Sequence, residues 1–158
     1  MFGSLLSWMQ EKAAPVFVVA TANDVTQLPP ELLRKGRFDE LFFVDLPNQE
    51  EREAIWRIQI AKCGRKPEMF DIDQLACATE GFTGAEIEQV FIDALHEAFS
   101  RREEPTDLSI AMVLQDVVPL SKLMTEQIEG LRRWAKGRAR LATKPAREAN
   151  GRKIVAAG

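Results

Sequence analysis

The run ATANDVTQLPPELLRKGRFDELFFVDLP, residues 20–47, decides how this chain is read. It leaves an apolar segment at Ala20 and turns through small polar residues around Asn23. It then passes a proline pair, Pro29 and Pro30, and ends in the apolar run LFFVD. Just upstream lies PVFVVA, residues 15–20, apolar without alternation and rich in valine. Such a run predicts a strand buried on both faces, as in a parallel sheet beneath helices. The proline pair predicts a short helix over PELLRK, closed at Gly36. Residues 41–45 predict a second strand. A helix end is expected over residues 4–12, with Leu5, Leu6 and Met9 on one side. Helix alternating with buried strand predicts an α/β fold.

The pattern changes after Pro47. Asn48 with Glu51 reads as a capping box, and the helix behind it is expected to bury Ala54, Ile55, Ile58 and Ala61. Trp56 is placed at a core edge, as is Trp8. Gly64 and Pro67 end that helix. Asp71 with Gln74 caps a second helix that stops near Gly81. Thr83 with Glu86 caps a third, whose Ile87, Val90, Phe91, Ala94, Leu95 and Ala98 follow a 3.6-residue period. The reading is therefore a piece of α/β core over 1–47, a small all-α unit over 48–104, and a helical extension over 105–142. In that extension Ser109 is expected to cap a short helix stopped at Pro119, and Ser121 to start a long helix carrying Leu123, Ile128, Leu131 and Trp134. A disordered tail is expected over 143–158, where Lys, Arg, Ala, Gly and Asn alternate without a period.

Composition narrows the classes. The chain is 46% apolar and 28% charged with a net charge of −3, which fits a globular protein. Two cysteines, Cys63 and Cys77, and one histidine, His96, exclude a disulfide framework and a four-ligand zinc site. The first residues have no basic segment before their short apolar run, so no signal peptide is read there. No stretch nears the roughly 20 apolar residues of a membrane span. A cytoplasmic location is expected.

Three residues of the opening run suit phosphate chemistry. Asn23 follows the C-terminal end of a parallel-type strand, where open α/β sheets place ligands. A carboxamide there can orient a water or touch a terminal phosphate, although Asn is also an ordinary turn residue. Arg34 and Arg37 can each fork onto two phosphoryl oxygens, although cations at a helix end are favoured in any case. In the ending RRWAKGRARLATKPAREANGRK, basic residues beside Trp134 read as a solvated helix end or as a nucleic-acid patch, the latter the weaker reading.

Together these segments resemble the AAA+ ATPases of the classical AAA branch. That family runs strand, A-T-N, spacer, D-P-A-L-L-R-P-G-R-F-D, then a strand ending in L-P, and the spacing agrees without a gap. GFTGAEIEQV, residues 81–90, is similar to the lid segment G-F-S-G-A-D-L. The ending VPLSKLMTEQIEGLRRWAKGRAR further resembles an AAA protein encoded in plastid and cyanobacterial genomes, which adds the plastid stroma as an alternative location. The resemblance implies the C-terminal part of a P-loop NTPase parallel sheet, then an all-α lid and a helical extension. It implies that Asn23 is the sensor-1 asparagine that places the attacking water. It implies that Arg34 and Arg37 reach a neighbouring subunit's nucleotide. Gly84 and Ala85 would lie against the nucleotide, and Gln59 would stand where some relatives have a histidine near adenine. ATP and Mg, a homo-oligomeric ring (most often a hexamer) and an unidentified protein substrate are implied as well. Ala22 and Lys35 depart from the family's Thr and Pro.

A P-loop needs G-x-x-x-x-G-K-[ST], and here no glycine precedes a lysine. A Walker-B strand ends in Asp-Glu, whereas FFVD is followed by Leu46, so Asp45 is read as structural. By the resemblance, Met1 falls inside the fold. A fragment, inactive alone, is expected, with a non-catalytic half-domain that donates arginines or binds a partner as the alternative. The strand over 15–20 would then present an open apolar edge.

Overall fold

In the computed structural model, residues 2–11, 13–34 and 36–143 are described. The expected tail lies outside them from residue 144 onward. The chain divides into two compact units, one formed by residues 1–44 with 126–142, the other by residues 45–125 with Thr143. Chain 105–142, expected as one extension, thus divides between the units.

The first unit opens with helix α1, Phe2–Glu11. Residues 15–22 follow without regular structure, so the strand expected over 15–20 is absent. Phe17 and Val19 are 93% and 75% exposed. A strand exists only as a partner in a ladder, and among the described residues the single sheet lies elsewhere. The helix expected over PELLRK is instead a pair of turns, closed by Leu32 N–H to Pro29 O at 3.0 Å and Leu33 N–H to Pro30 O at 3.2 Å. Gly36 does close them, at φ +91°, a region that glycine enters without a Cβ penalty. The second strand shrinks to β1, Phe42–Phe43. It pairs in parallel with β2, Arg140–Leu141, Phe42 opposite Arg140 and Phe43 opposite Leu141. Arg140 N–H donates to Leu41 O and Ala142 N–H to Phe43 O, both at 2.9 Å.

The second unit is helical. Asn48 caps α2, Gln49–Lys62, through the reciprocal box with Glu51. Its inward face differs from the expected one. Arg52, Trp56 and Ile60 are buried, whereas Ala54 and Ala61 are exposed and Ile58 is 61% exposed. Trp56 is fully buried at the centre of the core, not at its edge. Its ring meets Phe91 edge-on at 6.2 Å, and Phe70 meets Phe91 likewise at 5.8 Å. Such pairs add to the area they bury. Trp56 Nε1 donates to the buried Thr79 hydroxyl at 3.1 Å. Arg52 is the second surprise of that face. Its guanidinium donates to Ala76 O at 2.8 Å and Pro47 O at 2.9 Å, which is how a charge is tolerated inside.

Asp71 caps α3, Ile72–Ala78, and Thr83 with Glu86 boxes α4, Gly84–Ser100. The apolar stripe of α4 is buried as its period requires, with Leu95 partly so. Gly81, at φ +81°, lies so close to Ser121 that a Cβ would stand 2.7 Å from its Oγ. Thr106, not Ser109, caps α5, Asp107–Asp116, and Ser109 is the return partner of the box. The long helix expected from Ser121 is interrupted at Met124, giving α6, Leu120–Leu123, and α7, Thr125–Ala135.

Candidate nucleotide site

Asn23 stands exposed at a bend after the irregular residues 15–22. Asp24 anchors that bend. Its Oδ1 accepts from the Thr26 hydroxyl at 2.6 Å and the Thr26 backbone N–H at 2.8 Å, starting a 3-10 turn over Val25–Gln27. These two bonds hold the Asp24 carboxyl below the usual range. The bend that carries the carboxamide is thus built from neighbours in sequence.

The two arginines sit on the turns after the proline pair. Leu32 is buried and pins that segment to its unit. Arg37 N–H donates to Arg34 O at 3.3 Å, so both arginines belong to one tight turn. Arg34 is exposed, and among the described residues its guanidinium has no partner. Arg37 is half-buried. With the Gln10 carboxamide oxygen turned toward it, Arg37 Nη1 and Nη2 donate to Gln10 Oε1 at 3.0 and 2.5 Å. Sequence reasoning missed Gln10. Nothing in its local pattern marks it, because its partner lies 27 residues away. The Asp45 carboxylate accepts from Leu46 N–H at 2.8 Å.

The second unit carries the other three residues, Gln59 on α2 and Gly84 and Ala85 at the start of α4. Gly84 is the first residue of α4, and a Cβ there would meet Ile55 Cδ1 at 3.6 Å. Ile55 precedes Gln59 by one turn on the same helix face. Gly84 and Ala85 occupy the first turn, where backbone N–H groups have no intrahelical acceptor. Glu86 secures that turn. Its carboxylate accepts from Thr83 N–H at 2.7 Å, the Thr83 hydroxyl at 2.8 Å and Leu120 N–H at 2.6 Å. Burial pushes the Glu86 carboxyl up, but the Thr83 and Leu120 N–H groups and the Thr83 hydroxyl together hold it below its usual value.

Gln59 supplies a test of fit for a nucleotide. Its Oε1 is buried and has no partner among the described residues. A buried acceptor left open costs about 1–3 kcal/mol unless something donates to it. An exocyclic amine such as adenine's is a suitable donor, and the small Gly84 and Ala85 allow close approach. The open Gln59 acceptor thus suits a base with an exocyclic amine, such as the adenine of ATP. Asn23, Arg34 and Arg37 belong to the first unit, Gln59, Gly84 and Ala85 to the second. Among the described residues no cluster of His, Cys, Asp and Glu could hold a metal ion.

Comparison with known proteins agrees with both halves. Residues 1–46 match the family model "ATPase family associated with various cellular activities (AAA)", and residues 70–110 match the "AAA+ lid domain". The chain is 48% identical over 145 residues to the "Uncharacterized AAA domain-containing protein ycf46" of Pyropia yezoensis, covering 90% of this chain and 30% of that protein. It is 46% identical to the protein of the same description from Guillardia theta, covering 90% of this chain and 29% of the relative. It is also 46% identical over 79 residues to a proteasome-activating nucleotidase of Sulfurisphaera tokodaii, covering 50% of this chain and 20% of that one. The chain thus spans about 30% of the length of the first of these relatives. With an α/β core segment followed by a helical lid, in that order, the chain belongs to the AAA+ ATPase family.

Proposed function

We propose that this segment is the part of an AAA+ ATPase that completes a neighbour's nucleotide site and closes its own. In a ring of identical subunits, most often a hexamer in this family, Arg34 and Arg37 neutralise charge on the terminal phosphate bound next door.

 Asn23 holds the attacking water, and Gln59, Gly84 and Ala85 hold the base and sugar within the subunit. Bound ATP with Mg supplies the phosphoryl group and its counter-charge; this chain's residues orient water, bind the base and screen charge. Hydrolysis moves lid against core, and the work is done on a protein partner, in the cytoplasm or a plastid stroma. No nucleic acid or membrane is needed; among the described residues no single helix is long and apolar enough to cross a membrane.

The observation that carries this reading is the presentation of the arginines. Arg34 is exposed on a turn anchored by buried Leu32, a placement that serves a ligand outside the unit better than one inside it. An arginine reaching in from a neighbour is worth a rate factor of about 10³–10⁵ in phosphoryl transfer. Neither a P-loop nor an apolar strand ending in a Walker-B Asp-Glu pair occurs in the 158 residues, so the chain by itself is expected to be inactive. The test is complementation. The chain is added to a longer family protein with an intact P-loop and its own Arg34 equivalent replaced by Ala. Restored ATP turnover, lost again when the added chain carries Arg34→Ala, supports arginines acting in trans. Turnover by the chain alone, or restoration that survives Arg34→Ala, overturns it. Restoration by a chain that never occurs within a longer protein in its own cell is the mark of a non-catalytic half-domain.

A further inference from the structure

Charge is unevenly distributed along this chain. Residues 45–125 carry sixteen Asp and Glu against eight Lys and Arg, a net of −8. Residues 126–158 carry nine Lys and Arg against three Glu, a net of +6. Within the helical unit, α4 and α5 border a groove of about 310 Å³. Asp93, Glu97 and Asp116 line it, with Met112, Val113 and Val117 as its apolar part. Asp93 accepts from Gln89 at 2.8 Å, and Glu97 pairs with Arg101. Asp116 has no partner among the described residues. The groove therefore offers unspent negative charge beside apolar surface, the chemistry that fits a peptide alternating cations with aliphatic side chains.

We propose that this groove is the docking site of the chain's own C-terminal segment, residues 144–158. That segment has the matching composition. Lys144, Arg147, Arg152 and Lys153 stand against the single acid Glu148, and Arg152-Lys153 run directly into Ile154-Val155. Its starting point is on the correct unit, because the Thr143 hydroxyl donates to the Glu51 carboxylate at the start of α2. The reach is sufficient. Nine residues from Thr143 to Arg152 span up to roughly 30 Å when extended, while a body of about 80 residues has a radius of gyration of about 12 Å. Arg152 and Lys153 pair with Asp93, Glu97 and Asp116, and Ile154 and Val155 cover Met112, Val113 and Val117. Occupied in this way, the groove is closed to a basic segment of any other protein, so the tail is a built-in competitor for that surface.

The experiment is carbodiimide cross-linking of the full chain, which joins a lysine amine to a carboxylate only when the two touch. Equal amounts of ¹⁴N- and ¹⁵N-labelled chain are mixed, so that links within a chain and between chains differ in mass. The expected result is that Lys153 links to Asp93, Glu97 or Asp116 in preference to the other exposed carboxylates, within single-isotope chains. Those links should fall severalfold in Arg147→Ser/Arg152→Ser, which removes charge but keeps the linking lysine. They should also fall when salt rises from about 0.1 M to about 1 M and the Debye length shrinks from ~10 to ~3 Å. Links from Lys153 spread over carboxylates according to exposure overturn the proposal. So does a groove link found equally in mixed-isotope pairs, which assigns the surface to a second copy.

Discussion

Gln59 holds an acceptor in the interior with nothing to accept from, and that is a cost the free protein carries. If the acceptor serves a nucleotide, removing it has opposite effects on stability and on binding. Gln59→Leu is expected to leave thermal stability unchanged or raised while weakening ATP binding by the longer protein. A melt and a nucleotide titration check this; equal affinity in the variant removes Gln59 from the site. Thr79 makes the contrasting case. Its hydroxyl accepts from Trp56 Nε1 and donates to Leu75 O at 2.8 Å, all in the interior. Thr79→Val leaves the indole N–H unpaired and should cost about 1–3 kcal/mol in denaturant unfolding. These residues also show what a sequence hides. Trp56 reads as an edge residue, and nothing in the apolar spacing picks out Arg52. The chain turns that face of α2 inward because it sets the largest side chain against Phe91 and meets the arginine with two carbonyls. The rival face, Ala54, Ile58 and Ala61, looks more apolar but fills far less volume.

At the scale of elements, the capped starts of α2, α3 and α4 were legible; the starts of the other helices and the strands were not. Asn48–Glu51, Asp71–Gln74 and Thr83–Glu86 sit where their spacing places them, because a cap is made by residues three apart and needs nothing distant. A strand depends on partners far along the chain. β1 finds its partner almost a hundred residues on, at Arg140 and Leu141, and no local pattern announces that. Residues 15–20 have the composition of a buried strand and remain exposed apart from the half-buried Val18, so they are the segment most prone to pair with another chain. The purified chain is expected to self-associate at micromolar concentration, and Phe17→Lys with Val19→Lys to reduce that association. Sedimentation velocity checks both; a wild-type monomer contradicts the expectation. The α4 start carries a pH dependence. Because the folded pKa of Glu86 is lowered, its contribution to stability is present above the unfolded carboxylate pKa and is lost as pH falls through the folded value. Glu86→Gln should therefore flatten the acid side of the stability profile, as thermal melts across that range would show.

At the scale of the whole molecule, the family was legible in the sequence, and the arrangement of the candidate residues was not. The spacing of Asn23, Arg34 and Arg37 and the lid segment around Gly84 pointed to one family, and the comparisons assign both stretches to it. What the spacing could not show is how each residue is held: Arg37 by Gln10, the Asn23 bend by Asp24, and Gly84 beside the Ile55–Gln59 face. Those are contacts of the fold, set by packing between elements. The measurement that tests the central claim most directly is steady-state ATP hydrolysis by a full-length protein carrying this segment, with and without Arg34→Ala. The account predicts that kcat falls by a factor of about 10³ or more while ATP affinity is kept. An Arg34→Ala protein that turns over at the unaltered rate would contradict it.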